Sequence, residues 1–119
     1  GRIELVEGDS HREETRDRVR AIFPAGIDFI FVDGDHSYEG VKRDFEMYSP
    51  LVRGGGMMAF HDICPDWREL YGMDCLEDAG QVYKWWAEVV ASGRRREEFI
   101  DRPGQSAAGI GILFLENTG

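Results

Sequence analysis

Apolar positions fall along this chain in two rhythms. Ile27, Phe29, Ile30, Phe31 and Val32 make a nearly unbroken apolar run of strand length, the pattern of a strand buried on both faces of a parallel sheet. Tyr38, Val41, Phe45 and Tyr48 then recur at helical spacing opposite Glu39, Lys42, Arg43 and Glu46, which predicts an amphipathic helix. Gly54-Gly55-Gly56 predicts a turn after it, and Met57 to Phe60 a second buried strand. Upstream, Ile3 to Glu7 reads as a short strand, and Ser10 with Glu13 fits the Ser-x-x-Glu capping box of a helix ending by Phe23. Val19, Ile22 and Phe23 form the inner face of that helix. Cys64 to Gly80 has no clear period and reads as an irregular loop over the strand ends, a lid or a disordered segment. Val82, Trp85, Trp86, Val89 and Val90 predict a helix from about Asp78 to Ala91, and Glu98 to Asp101 with Gly109 to Leu115 predict a terminal hairpin. The order β-α-β-α-β-α-β-β describes an α/β chain whose sheet is mostly parallel and closes with a C-terminal antiparallel hairpin.

Composition narrows the picture. The 119 residues, 42% hydrophobic, suit one domain, and 23 acidic against 14 basic residues give a net charge of −9. That charge repels nucleic-acid phosphates and anionic membranes, so neither is expected as a partner. The one basic run, Arg94-Arg95-Arg96, reads as a solvated loop or the cationic end of a helix, with a phosphate site as the alternative. Cys64 and Cys75 lack zinc or redox spacing and suit free thiols in a reducing, cytoplasmic compartment. No run approaches the ~18 apolar residues of a membrane span, and no charged-then-apolar leader opens the sequence, so a soluble, unexported protein is expected.

The candidate chemistry sits where the two central strands end. The first breaks into Asp33-Gly34-Asp35-His36 and the second into His61-Asp62. Ligands of open α/β sheets bind outside the carboxyl ends of the strands, so these residues mark the candidate site. His36 suits a general base working near neutral pH, or else a helix-start residue bonded to Asp33 or Asp62. Asp35 and Asp44 read as structural.

Gly8-Asp9-Ser10, then Asp-Phe-Ile-Phe-Val-Asp-Gly-Asp-His-Ser-Tyr-Glu-Gly-Val from Asp28, Pro50-Leu51-Val52-x-Gly54-Gly55 and Phe60-His61-Asp62 together resemble class I S-adenosylmethionine-dependent methyltransferases. Within these, the sequence is most similar to the branch of macrocin O-methyltransferase and cephalosporin hydroxylase-like proteins. Val82-x-x-Trp85-Trp86 and Gly109-Ile110-Gly111-Ile112 extend the likeness over nearly the whole chain. The resemblance implies a Rossmann-like sheet, S-adenosylmethionine as donor and a small-molecule acceptor methylated on oxygen. Such enzymes begin with a strand, a glycine-rich cofactor loop and an acid-ended strand, which these residues lack. Gly109-x-Gly111 cannot replace that loop, because it lies within the last strand rather than before a helix. The chain therefore reads as the carboxyl half of such an enzyme, a single domain over 1–119, inactive and binding the cofactor weakly on its own.

Position by position, the resemblance gives Asp9, Ser10 and Asp33 to the adenine side of the cofactor, with Ser10 also open to its capping role. It gives Asp33, His61 and Asp62 to a divalent metal, and to His36, beside Asp33, the part of general base. Two carboxylates suit magnesium, while the imidazole of His61 moves the preference toward manganese, iron or zinc. It also implies that two strands between Ile3–Glu7 and the Ile27 strand are missing. The first strand is then expected to pair directly with the second, in the order first, second, third, fifth, fourth. All helices would cover one face, leaving Phe29 and Phe31 on an open face that a homodimer would bury. Two other classes stay open. One is a metal-dependent hydrolase, for which His11, on a surface-facing stretch, is the only further histidine; the other is a non-catalytic remnant or interaction domain.

Overall fold

The computed structural model describes residues 3–116. Its centre is β2 (Val52–His61), which pairs in parallel with β1 (Ile27–Val32) on one side and antiparallel with β4 (Ile110–Phe114) on the other. β3 (Arg96–Phe99) completes a hairpin with β4, and the sheet runs β1-β2-β4-β3. This is a mixed Rossmann-like sheet with a C-terminal antiparallel hairpin. Because register is fixed, alternate residues of β2 part to opposite faces. Met58 and Phe60 turn inward and are completely buried, with Leu113 of β4 beside them.

Two helices cover that inner face. α2 (Tyr38–Tyr48) begins at Ser37, whose hydroxyl accepts from the Gly40 N–H, and it buries Val41 and Tyr48. α4 (Val82–Ser92) buries Val82, Trp85, Trp86 and Val89, as its stripe predicts, while Val90 turns to solvent. The aromatic rings meet over β2, Phe45 lying 4.9 Å from Trp85 and Phe60 within 6.2 Å of both tryptophans. A Cβ on Gly111 would sit 2.5 Å from the Trp86 ring, so this glycine of β4 exists to let the indole reach the sheet.

Several expectations are corrected. Residues 3–7 form no strand; Ile3 and Leu5 are 98% and 82% exposed, and β1 remains an edge. The chain just after them is anchored to α2 by Ser10, whose hydroxyl donates to Asp44 and whose carbonyl accepts from Tyr48. This leaves a cavity of about 320 Å³, lined among others by Val6, Val19, Ile30 and Val32, instead of a ladder. The sheet thus has one parallel pair and two antiparallel ones. The same anchoring defeats the Ser10 capping box: α1 (Glu13–Ile22) is preceded by Arg12 with no side-chain cap, because Ser10 is committed to a buried carboxylate. Thr15 is buried on α1, whereas Phe23 is exposed.

The three glycines do not end a turn; they belong to β2. Ile27 pairs with Val52 but Phe29 with Met57, so Arg53 to Gly56 bulge out of the ladder. Gly56 is needed there, since a Cβ would lie 2.8 Å from the Asp28 carbonyl oxygen. Cys64 to Gly80 contains a short helix, α3 (Trp67–Tyr71), and β3 begins earlier than the hairpin pattern suggests. β1 is not buried on both faces: Phe29 and Phe31, aligned with Met57 and Ala59, are nearly half exposed on the side away from α2 and α4.

Phe60 carries the core. Phe60→Ala is expected to lower the unfolding free energy by about 3–5 kcal/mol, measured by urea denaturation; a loss below about 1 kcal/mol would mean the cluster repacks without it.

Candidate functional site at the carboxyl ends of the central strands

Val32 is paired with Phe60, so the next residues of the two strands, Asp33 and His61, come out side by side. His61 Nδ1 lies 3.5 Å from Asp33 Oδ1 and 3.1 Å from Asp62 Oδ2. Ligand atoms of Asp33, His61 and Asp62 all fall within 4.8 Å of one another. His36, in the turn before α2, joins them with Nε2 at 3.2 Å from Asp33 Oδ1 and 3.6 Å from Asp62 Oδ2. Its carbonyl accepts from the Gln81 N–H at 2.7 Å, which ties the turn to the start of α4. His36 thus makes the bond to Asp33 foreseen in its structural role, and keeps one imidazole nitrogen at the exposed carboxylate of Asp33.

Asp62 is held most firmly. It is 8% exposed with φ of 65°, in the left-handed region that few residues other than glycine and Asn or Asp adopt. Its Oδ1 accepts from the Ala108 N–H at 2.9 Å and its own N–H donates to the Gly109 carbonyl. Ala107 and Ala108 are left-handed too, with φ of 63° and 58°. Backbone strain is thereby gathered on both sides of one carboxylate, whose Oδ2 is left facing the two imidazoles.

His61 Nδ1 is a buried nitrogen with no hydrogen-bond partner, although two carboxylate oxygens stand nearby. Donors each ~2.0–2.6 Å from one ion lie at most about 5 Å apart, so this nitrogen and the two carboxylates fit a divalent cation. One nitrogen among three donors favours manganese, zinc or iron over magnesium.

Ser10 and Asp33 line the 320 Å³ cavity together with Gly34, Asp44 and Tyr48. Asp9 lies at the surface, its Oδ1 accepting from the His11 N–H. His11 is not surface-facing: it is half-buried, with Nε2 3.2 Å from Asp44 and 3.1 Å from the Gly40 carbonyl, and it stands apart from the metal-type cluster. Asp44 is buried, and Asp35 accepts from the Ser37 N–H.

Two supporting features escaped the sequence reading. The left-handed pair Ala107-Ala108 carries no signal in residue type. Asp66 did carry one: Asp66-x-x-Glu69 fits a helix start. Its buried carboxylate caps α3 through the Glu69 N–H and also accepts from the Ala79 N–H, pinning both ends of the 64–80 loop.

A family model described as a methyltransferase domain matches residues 1–63. The chain belongs to the methyltransferase domain family. An uncharacterised protein of Acanthamoeba polyphaga mimivirus is 49% identical over 39 residues, covering 33% of this chain and 18% of that protein. An uncharacterised protein of Sinorhizobium fredii is 30% identical over 90 residues, covering 76% of this chain and 8% of that protein. The methyltransferase domain described here thus spans under a fifth of either relative. Among solved structures, the MycE methyltransferase of the mycinamycin biosynthetic pathway, in complex with Mg and SAH, superposes with a TM-score of 0.56 at 18% identity, over 94% of this chain and 32% of that one. The shared fold is that of class I S-adenosylmethionine-dependent methyltransferases.

The bonds to the Glu69 and Ala79 N–H groups hold the Asp66 carboxyl below its ordinary 3.8, outweighing the opposite push of burial. A folded value below the unfolded one stabilises above pH about 3.8 and is lost as pH falls through the folded value. Asp66→Asn, which keeps one acceptor but turns an amide donor toward the other N–H group, is expected to cost about 1–3 kcal/mol at neutral pH and to flatten the acid limb of stability. Urea melts between pH 2 and 6 would check it; an unchanged limb would remove Asp66 as its source.

Proposed function

We propose that this chain carries the acceptor side of an S-adenosylmethionine-dependent O-methyltransferase, of the branch that includes macrocin O-methyltransferase, acting on a small molecule. The observation behind it is the meeting of Asp33, His36, His61 and Asp62 at one sheet edge in a methyltransferase domain. His36 Nε2–H donates to Asp33 at 3.2 Å, so the other ring nitrogen, Nδ1, takes the proton of the acceptor hydroxyl and Asp33 offsets the charge gained by the imidazole. S-adenosylmethionine, when bound, supplies the electrophilic methyl group, with Asp9, Ser10 and Asp33 on its adenine side. Most of the rate then comes from alignment of oxygen and methyl. Asp33, His61 and Asp62 would hold a divalent ion, manganese in preference to magnesium, which would supply Lewis-acid stabilisation of the acceptor oxygen. No glycine-rich loop precedes a helix among these residues, so the chain on its own is expected to bind the cofactor weakly and to be inactive. Two free cysteines are in keeping with a cytoplasmic location, no helix among the described residues is long and apolar enough to cross a membrane, and the net charge disfavours nucleic acid.

Calorimetric titration tests the two halves of this reading separately. Manganese is expected to bind, and Asp62→Asn, which keeps an acceptor for the Ala108 N–H, to weaken it at least ~10-fold, a difference of about 1.4 kcal/mol; no saturable metal binding would sink the metal role. S-adenosylmethionine binding tighter than roughly 10 μM, near −7 kcal/mol, would sink the half-site.

The homodimer belongs here too, as a weak one. Four strands about 4.8 Å apart and five residues of about 3.3 Å give the open face a footprint of ~300 Å², well under the ~800 Å² per partner of stable interfaces. A second copy seated on Phe29 and Phe31 is expected to associate only as concentration rises, and Phe31→Glu to abolish this in light scattering. A dimer unaffected by Phe31→Glu would place the contact elsewhere.

A further inference from the structure

A carboxylate is costly to bury, yet Asp66 is only 2% exposed. Capping α3 does not call for that burial, since the helix has five residues and an N-cap works equally well at the surface. One oxygen does the capping, accepting from the Glu69 N–H at 3.0 Å. The other reaches thirteen residues along the chain to the Ala79 N–H at 3.1 Å. That second bond closes the neck of the 64–80 loop, and both bonds are of the charge-assisted kind, roughly twice as strong as neutral ones.

Each side of the neck leads to the strand ends. On the near side, the Cys64 N–H donates to the Ala108 carbonyl and the Ala107 N–H to the Pro65 carbonyl, both at 3.1 Å. Ala108 is also the residue whose N–H holds Asp62 Oδ1. On the far side, Gly80 has φ of 69° and packs against His36; a Cβ there would stand 2.6 Å from the His36 carbonyl oxygen. The Gln81 N–H donates to that same oxygen at 2.7 Å. Asp66 is thus the side-chain link between the backbone that orients Asp62 and the backbone that seats His36, whose Nε2 lies 3.6 Å from Asp62 Oδ2. Beyond the neck the loop has little packing to replace this link, since Tyr71, Met73 and Leu76 are exposed. A further tie, from the Tyr83 hydroxyl to Glu69, lies at the surface.

We propose that Asp66 is a positioning residue: by closing the neck it fixes where the His36 imidazole stands relative to Asp33 and Asp62. The effect passes through the backbone of Ala79, Gly80 and Gln81. That His36 serves as a base rests on the proposed function, whereas its placement by Asp66 does not.

The test is NMR of the whole chain without cofactor or metal, with all variants at one pH. Long-range proton–nitrogen correlations read the His36 ring, alongside the Glu69, Ala79 and Gln81 amides. In the wild type, Nε2 is expected to give the signal of a protonated nitrogen bonded to carboxylate. Asp66→Ala should move the His36 ring toward a mixture of tautomers and shift the Gln81 N–H upfield as its bond lengthens. The Trp86 Nε1–H, bonded to Glu98, should stay in place. Asp66→Asn, which keeps one acceptor, should shift the same signals less, and carries the test if the alanine variant does not fold. Gly80→Ala, which pushes on His36 from the other end of the link, should move the His36 and Gln81 signals but not the Glu69 N–H. Tyr83→Phe, which removes only the surface tie, should leave His36 unchanged. A His36 ring unmoved in an Asp66 variant whose Ala79 N–H has shifted would overturn the proposal, as would Tyr83→Phe moving the ring as far as Asp66→Ala. Because no methyl transfer is read, failure of the proposed function leaves this result standing, and the reverse also holds.

Discussion

The register of β1 on β2 is the constraint on which everything else rests. Val32 lies opposite Phe60 because Ile30, Val32, Met58 and Phe60 must face α2 and α4 together. A slip of one residue would turn Met58 and Phe60 out to solvent and bring Met57 and His61 in. The apolar alternation thus does two things at once: it buries the core, and it delivers Asp33 and His61 side by side one residue beyond it. The site has no separate scaffold. Its geometry is the end of the packing pattern, which is why acidic and imidazole groups can be held close without any dedicated binding domain among the described residues.

Holding them there requires a second device, since Asp62 must turn back toward His36 directly after a strand. The left-handed conformation of Asp62 makes that turn, and the backbone of Ala107, Ala108 and Gly109 holds it, through bonds from both the side chain and the main chain of Asp62. Left-handed alanine costs roughly 1–2 kcal/mol per residue, set against the bonds of the Ala108 N–H to Asp62 and of the Cys64 N–H to the Ala108 carbonyl. The terminal hairpin therefore does more than close the sheet; its entry segment fixes the orientation of one carboxylate of the site.

Much of this was legible in the residues. The strand run at Ile27 and the stripes of α2 and α4 follow from periodicity, the order of the last four strands from the resemblance to class I methyltransferases, and the carboxyl-end rule points to Asp33, His36, His61 and Asp62 before any geometry is known. What was not legible depends on contacts distant in sequence. Ser10 fits a capping box, but a buried Asp44 competes for its hydroxyl, and the longer-range, charge-assisted bond wins. Residues 3–7 alternate like a strand, yet a strand needs a partner edge within reach, and the anchoring of Ser10 to α2 puts a cavity there instead. The glycine triplet reads as a turn because three glycines weaken a strand; the neighbouring Leu115 and Asp28 backbones turn it into a bulge.

That bulge has a mechanical sense. Between Ile27 and Phe29 the ladder absorbs Arg53 to Gly56, so the start of β2 is uncoupled from the register of its end. Arg53 and Gly54 leave the ladder, Arg53 pairing with Asp28, while Met57 onward stays locked to Phe29. Without it, the start of β2 would be flat and tied to the same alternation as Met58 and Phe60, and any shift made to shape one end of the strand would travel to the other. With it, the start of β2 follows the backbones of Leu115 and Asp28 while the acidic end stays set by the core.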